Sequence, residues 1–115
     1  MNIPTDGSYV NIGTAATWEA IVGTGGTSQL TWAGWIKKTG DGDIVNYARL
    51  FQFGDRGSGH LLLWVTNGDR LTFETGWSGD LYAQWSTGYN VITEGEWHHI
   101  VITYDANDAD NNPLL

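Results

Sequence analysis

The sequence has 115 residues, enough for one small domain, and its thirteen acidic and five basic residues give a formal net charge of −8. Nucleic acids and anionic membrane surfaces both attract clustered lysine and arginine, so we expect neither as a partner. The absence of cysteine excludes disulfides and thiolate metal sites. No apolar run approaches the ~20 residues that a membrane-spanning helix needs, so no membrane insertion is expected.

Seven tryptophans, five tyrosines and sixteen glycines favour strands joined by tight turns, because large flat side chains suit pleated sheets. Alternation of apolar and polar residues predicts most of the strand positions. The predicted strands and extended segments cover residues 7–13, 29–38, 44–54, 61–65, 70–74, 81–85, 89–93 and 97–105. Residues 14–22 predict a loop with a short helix, residues 23–28 a glycine-rich connector, and residues 76–80 a break in the chain.

The clearest local prediction is a β-hairpin in residues 60–74. Asn67-Gly68 stands between two apolar segments, and this pair favours a tight turn because both residues accept positive φ angles. Alternation places two residues of the second strand in the core and two towards solvent or a second layer. The core pair is Leu71 with Phe73, and the other pair is Thr72 with Glu74.

The strand predicted over residues 97–105 carries apolar side chains on both of its faces. Trp97 and Val101 share one parity along the strand, and Ile100 and Ile102 share the other. We therefore expect a central strand that is covered on both sides.

Four segments of the sequence, in their order along the chain, together resemble the strand motifs of a known family. The most specific is Trp97-His98-His99-Ile100-Val101-Ile102-Thr103-Tyr104-Asp105. The others are Tyr9-Val10-Asn11-Ile12-Gly13, Leu30-Thr31-Trp32-Ala33-Gly34-Trp35-Ile36-Lys37 and the hairpin around Asn67-Gly68. Together they resemble laminin-G-like, concanavalin A-like jelly-roll modules. The resemblance implies an all-β fold, an antiparallel β-sandwich, with residues 1–115 forming a single domain.

In that family, the acidic turn after the last of these strands leads into a strand of the Tyr-Val-Asp-Gly type. Leu114-Leu115 would begin that strand in this sequence, and the later strands of the family are missing. The resemblance therefore implies the N-terminal part of a module, truncated on its C-terminal side. Three explanations stay open: a truncated product, a split domain completed by another chain, and a shortened variant that pairs with its own copy. We favour the first two.

The histidines and glutamates give little support for catalysis. His98 and His99 are adjacent on a strand and point to opposite faces, so they cannot bind one metal ion together. We expect His98 to be a core histidine with a satisfied ring nitrogen, and His60 to be isolated. Glu94 and Glu96 lie in a turn, whereas glycosidases place two carboxylates on either side of the scissile bond. The sequence therefore predicts a protein that is not an enzyme.

Two acidic turns are candidate calcium sites, because calcium prefers several carboxylate and carbonyl oxygens close together. Asp108 and Asp110 match ligand positions of an EF-hand loop, but Pro113 stands where that motif needs glycine. A looser calcium site there, or at Asp41 and Asp43, stays open beside the simpler interpretation of solvated turns. Calcium is the one cofactor that the sequence suggests.

Aromatic residues in or beside loops are candidate ligand-binding residues, because sugar rings stack on aromatic faces. They are Trp77, Tyr82, Trp85 and Tyr89, and Trp77, between glycine and serine, is the best candidate for exposure. The alternative is that most tryptophans fill the core. We expect a position in the core or between the sheets for Trp32, Trp35, Trp64 and Trp97.

These observations predict a non-enzymatic carbohydrate- or protein-binding module. A module of an extracellular type without a signal peptide fits a virion, so we expect an extracellular or virion setting and hypothesise a phage or viral structural or adhesion protein. One alternative is a structural assembly subunit, completed by neighbouring chains in a homo- or hetero-oligomer. A second alternative is a fragment of a glycan-active enzyme.

Overall fold

The computed structural model describes residues 13, 29–40, 48–55, 58–78 and 82–105. The strands are β1 (Gln29–Lys37), β2 (Ala48–Asp55), β3 (Ser58–Thr66), β4 (Arg70–Ser78), β5 (Tyr82–Ser86) and β6 (Trp97–Asp105). They form a two-stranded sheet, β1–β6, and a four-stranded sheet in the order β2–β3–β4–β5, with every described pair antiparallel. The predicted all-β antiparallel fold is confirmed. The described ranges contain no helix that is long and apolar enough to cross a membrane.

The structure confirms, within a few residues, the strands predicted at 29–38, 44–54, 61–65, 70–74, 81–85 and 97–105. The predicted break is wrong over residues 76–78, because β4 continues to Ser78. Gly76 is paired with His60 of β3 and with Tyr82 of β5, so pairing on both sides outweighs the weak strand propensity of glycine. The expectations for residues 7–12, 14–28, 44–47 and 106–115 lie outside the described residues.

The core lies between the two sheets. β6 contributes Ile100, Ile102 and Tyr104, and the four-stranded sheet contributes Leu63 and Phe73 among others. The rings of Phe73 and Tyr104 lie 5.4 Å apart between centroids, so this contact joins the four-stranded sheet to β6. Alternate residues of β1 pack against the same core, and these are Leu30, Trp32 and Ile36.

The opposite face of β6 is open to solvent. Trp97 and Val101 are both exposed, while Ile100 and Ile102 are buried on the other parity. Within the described part of the chain, β6 pairs with β1 alone. The prediction of a strand covered on both sides is therefore wrong. Both parities of this strand carry apolar residues, and such a pattern does not say which parity faces water.

Both faces of the β3–β4 hairpin are buried. Leu71 and Phe73 belong to the core, as predicted. Thr72 and Glu74 project to the opposite face and are 1% and 0% exposed. Trp64, which is paired with Thr72, is buried on that face as well. The sequence predicted either solvent or a second layer around Thr72 and Glu74, and their burial excludes solvent.

The β3–β4 turn is tied to the loop that follows β5. The amide of Asn90 donates a hydrogen bond to the Gly68 carbonyl at 2.8 Å, and the amide of Ile92 donates to the Asp69 carbonyl at 3.1 Å. These bonds hold residues 89–93 in a loop, so the extended segment predicted there is wrong. They also direct the Ile92 side chain into the core.

The turn uses positive φ at Gly68 (76°) and Asp69 (57°) rather than at Asn67. It contains three residues between the paired Thr66 and Arg70, and the Asp69 amide donates to the Thr66 carbonyl at 3.1 Å. Aspartate tolerates this left-handed conformation better than most residues do. The hairpin is confirmed, but the expected positive φ at Asn67 is wrong.

Gly68→Ala is expected to lower the free energy of unfolding by about 1–2 kcal/mol, because an L-residue is strained at positive φ. Its added Cβ would also stand 2.6 Å from Cδ1 of Tyr89. Gly88→Ala is the matched control, since no atom lies within 4 Å of its added Cβ. We expect a change below about 0.5 kcal/mol for this control in urea denaturation. Equal losses for the two variants would contradict the described turn.

Candidate functional site

The outward-facing residues of β1 and β6 form one surface, which we call the outer face. It consists of Thr31, Ala33, Trp35 and Lys37 from β1, and Trp97, His99, Val101 and Thr103 from β6. In the register of the two strands, Trp35 is paired with His99 and Lys37 with Trp97. Directly paired residues of an antiparallel sheet project from the same face. The aromatic side chains therefore lie together at one end of the outer face.

Both tryptophans of the outer face are open to solvent. Trp35 is 66% exposed and Trp97 is 64% exposed. Trp35 contacts His99, with 5.0 Å between the ring centroids and 47° between the ring planes. The prediction that Trp35 and Trp97 lie in the core or between the sheets is therefore wrong. The sequence prediction consequently missed the largest exposed aromatic side chains of the described structure.

Gly34 explains why β1 turns Trp35 outward. Trp32, Gly34 and Ile36 share the inward parity, and the Trp32 ring lies across Gly34, 3.0 Å from the position that an added Cβ would take. Trp32 therefore fills the space that a side chain at position 34 would occupy. It packs against the core as predicted. Trp64, which is 3% exposed, is also buried as predicted.

Three of the four aromatic residues that were predicted to bind ligand have described side chains, and these three lie apart. Tyr82 begins β5 and is exposed, whereas Trp85 is on the opposite face of β5 and packs against the core, 6.1 Å from Phe73 between centroids. Tyr89 is exposed in the loop after β5, where the Arg70 guanidinium lies 4.8 Å from its ring centroid. The side chain of Trp77 lies outside the described residues. Ligand binding by these four residues stays a prediction.

The predicted calcium ligands are not among the described residues. They are Asp41, Asp43, Asp108 and Asp110. In the ranges that the structure does describe, no group of three or more histidine, aspartate or glutamate side chains could hold a metal ion. Calcium binding therefore stays a prediction.

The two histidines of β6 point to opposite faces, as predicted. His99 is exposed on the outer face, and His98 is half-buried rather than part of the core. The Thr93 amide donates a hydrogen bond to Nε2 of His98 at 3.0 Å. The satisfied ring nitrogen predicted for His98 is confirmed, and its predicted core position is wrong.

A second group of polar residues, which we call the buried polar cluster, lies on the face of the four-stranded sheet that points away from the core. Nε2 of His60 lies 2.6 Å from Oε1 of Glu74, and the Gln84 side-chain amide donates to Oε2 of Glu74 at 3.2 Å. The side chains of His60 and Glu74 are 3% and 0% exposed. The expectation that His60 is isolated is therefore wrong. The cluster joins β3, β4 and β5 through one carboxylate.

The hairpin register could have predicted this contact. Counting outward from the paired Thr66 and Arg70, Leu62 is paired with Glu74 and His60 with Gly76. His60 and Glu74 are therefore diagonal neighbours on one face, within reach of long side chains. Gly76 leaves the room that the His60 ring occupies, since an added Cβ at Gly76 would overlap that ring.

One family model matches nearly the whole chain. Its description is "Concanavalin A-like lectin/glucanases superfamily", and it is a laminin G model that matches residues 5–111. The chain belongs to this superfamily. The resemblance predicted from the strand motifs is confirmed, and so is the sandwich fold class of this laminin-G-like chain. Comparison with curated proteins gave no match, and neither did comparison with solved structures.

Proposed function

We propose that this laminin-G-like chain is a non-enzymatic module that binds carbohydrate on the outer face. The observation that carries the proposal is the exposure of Trp35 and Trp97, 66% and 64%, on one face of the β1–β6 sheet. A superfamily that is described by its lectins and glucanases agrees with a carbohydrate ligand.

Exposed tryptophan faces are suited to sugar rings. A sugar ring has a face of C–H groups that can cover an indole, which removes apolar area from water at about 25 cal/mol per Å². Its hydroxyl groups project around that face and need hydrogen-bond partners. His99, which contacts Trp35, has ring nitrogens that donate and accept hydrogen bonds. The outer face therefore offers both stacking and hydrogen bonding.

The outer face supports binding better than hydrolysis. Glycosidases flank the scissile bond with two carboxylates, whereas the described strands β1 and β6 contain one carboxylate, that of Asp105. Asp105 accepts a hydrogen bond from Nε2 of Gln29 at 2.7 Å. It ends β6, while Trp97 begins that strand, so no pair of carboxylates in β1 and β6 flanks the tryptophans.

A second candidate function is that of a structural assembly subunit. The same exposed residues favour it, because Trp35, Trp97 and Val101 would also suit the apolar centre of an interface between protein chains. In this alternative the outer face is covered by a neighbouring chain of a homo- or hetero-oligomer. The two candidates therefore differ in whether the outer face binds sugar or protein.

Titration of a polysaccharide panel against the purified protein tests the proposal. Trp35→Ala and Trp97→Ala are each expected to weaken binding about 30-fold, or about 2 kcal/mol, as for a tryptophan that dominates an interface. Tyr89→Ala is the comparison variant, because Tyr89 is 69% exposed and was predicted to bind ligand, but lies outside the outer face. If the ligand binds on the outer face, this variant changes affinity by less than about twofold.

Two outcomes would replace the proposal. The assembly candidate would stand in its place if no polysaccharide bound and if Trp35→Ala converted an oligomer into a monomer in size-exclusion chromatography. Loss of binding in Tyr89→Ala, with both tryptophan variants binding normally, would move the ligand site to the loop after β5.

We also propose an extracellular or virion setting, in which a phage or viral adhesion protein would meet glycans. Calcium is part of this proposal through Asp41 and Asp43, or through Asp108 and Asp110, because acidic turns supply the oxygen ligands that calcium prefers. Repeating the titration with calcium and with EDTA tests that part. Equal affinities in the two buffers would remove calcium from the proposal.

A further inference from the structure

We infer that the outer face prefers acidic sugars, with a uronate ring stacked on its tryptophans and the uronate carboxylate beside Lys37. This inference rests on the proposed function, because it names the class of sugar that the same surface takes. Lys37 is paired with Trp97 in the β1–β6 register, so its side chain stands next to that indole. An ammonium group there can pair with a carboxylate while the sugar ring covers the tryptophan.

Lys37 is available for such a contact. The next residue, Lys38, projects from the other side of the chain and forms a salt bridge with Asp69, and its side chain is 9% exposed. Lys37 is exposed, and no described residue forms a salt bridge or a side-chain hydrogen bond with it. The two adjacent lysines therefore have different roles, one that fastens β1 to the β3–β4 turn and one that faces outward.

The described arginines are engaged on the other sheet. Nη1 of Arg49 donates a hydrogen bond to Oε1 of Gln52 at 2.8 Å. The guanidinium of Arg70 lies over the Tyr89 ring at 4.8 Å from its centroid. Among the described basic residues, Lys37 is thus the cation that stands beside exposed tryptophan.

Because the whole chain is acidic, Lys37 would determine where an acidic polymer can bind. A protein with a formal net charge of −8 repels an acidic polymer over most of its surface, so the polymer needs a local cation where it binds. The aromatic end of the outer face has no carboxylate on β1 or β6, although Glu96 precedes Trp97 in the turn. Asp105 lies at the opposite end of β6 and is bonded to Gln29. Lys37 is therefore the positive group that an acidic sugar would pair with at the tryptophans, and the exposed Glu94 and Glu96 of the adjacent turn oppose that binding.

Polygalacturonate and its methyl ester are the probes, because they share one backbone and differ in charge. We expect the protein to bind the acid about fivefold more tightly than the ester at low salt, which is the contribution of one exposed ion pair. Lys37→Gln is expected to bring this ratio to about one, and about 0.5 M NaCl should do the same for the unaltered protein. Arg49→Gln removes the same charge from the other sheet and should keep the ratio near five. Its binding to neutral glycans should also be unchanged.

The outcomes separate this inference from the proposed function. Equal binding of acid and ester, with affinity still lost in Trp35→Ala, would overturn the inference and leave carbohydrate binding in place. The same conclusion would follow if Arg49→Gln lost the preference as Lys37→Gln does, because the preference would then depend on net charge. Alginate and its ester supply a second backbone, and binding confined to neutral glycans would again overturn the inference alone. No binding to any polymer would overturn both.

Discussion

Phe73→Ala is expected to lower the free energy of unfolding by about 3–5 kcal/mol, the range for truncating a buried phenylalanine. Phe73 is 0% exposed and stands where the four-stranded sheet meets β6. Its ring centroid lies 6.1 Å from that of Trp85 and 5.4 Å from that of Tyr104. Truncation would remove apolar burial and leave a cavity in a shared aromatic cluster. Urea denaturation followed by tryptophan fluorescence measures the loss.

The control is a second aromatic truncation on the other sheet. Trp97→Ala removes a larger side chain, but Trp97 is 64% exposed, so we expect a loss below about 1 kcal/mol. Phe73→Leu, with an expected loss of about 1.5 kcal/mol, keeps the comparison measurable if the alanine variant does not fold. Equal losses in Phe73→Ala and Trp97→Ala would contradict the core that the structure describes.

The β3–β4 hairpin is the part of the fold that is most predictable from sequence. Its turn signal, Asn67-Gly68, and its alternating strands lie within one short segment, so local chemistry decides most of its structure. The inward positions of Leu71 and Phe73 follow from the same alternation. The positive φ at Asp69 does not follow, because the loop after β5 bonds to the Asp69 carbonyl and that loop is distant in sequence.

The outer face is less predictable, although both of its strands are. Trp35 and Trp97 are, together with Trp32, the largest apolar residues of β1 and β6, so hydrophobicity alone assigns them to the core. Their exposure depends on which parity of each strand faces the four-stranded sheet. Gly34 was the feature of the sequence that could have indicated the inward parity of β1, because a glycine on that parity leaves room that Trp32 fills. The pairing of β1 with β6 spans most of the chain and has no local signature.

The buried polar cluster is less predictable from sequence than the hairpin and more predictable than the outer face. Its pairing follows from the hairpin register once the turn is placed. Its burial does not, since alternation allowed either solvent or a second layer around Thr72 and Glu74. A carboxylate that is 0% exposed is rare without a partner, and the contacts of Glu74 with His60 and Gln84 agree with its burial.

Glu74→Ala is expected to lower the free energy of unfolding by about 3–5 kcal/mol, as when one partner of a buried pair is removed. The two carboxylate oxygens of Glu74 contact His60 at 2.6 Å and the Gln84 amide at 3.2 Å. Truncation would leave the buried His60 ring nitrogen without this partner, which costs about 1–3 kcal/mol, whereas the exposed Gln84 amide can bond to water instead. Thermal or urea denaturation measures the loss.

A double-mutant cycle separates the contact itself from the loss of each side chain. His60→Leu, Glu74→Leu and the double variant complete the cycle with the unaltered protein. We expect the double variant to lose less free energy of unfolding than the two single variants lose together, by at least about 1 kcal/mol. The reason is that one apolar pair can replace a buried polar pair. Additive losses would contradict a direct interaction between His60 and Glu74.

Glu74→Gln connects this cluster to function, because the amide keeps the shape of the side chain and removes its carboxylate. We expect the variant to bind polysaccharide within about twofold of the unaltered protein, since Glu74 belongs to the four-stranded sheet and the outer face to the β1–β6 sheet. Reducing-end assays on the same polysaccharides complete the test. Cleavage by the unaltered protein that disappears in Glu74→Gln would contradict the non-enzymatic proposal and make the buried polar cluster a catalytic centre. Unchanged binding without cleavage in either protein would leave Glu74 with a stabilising role.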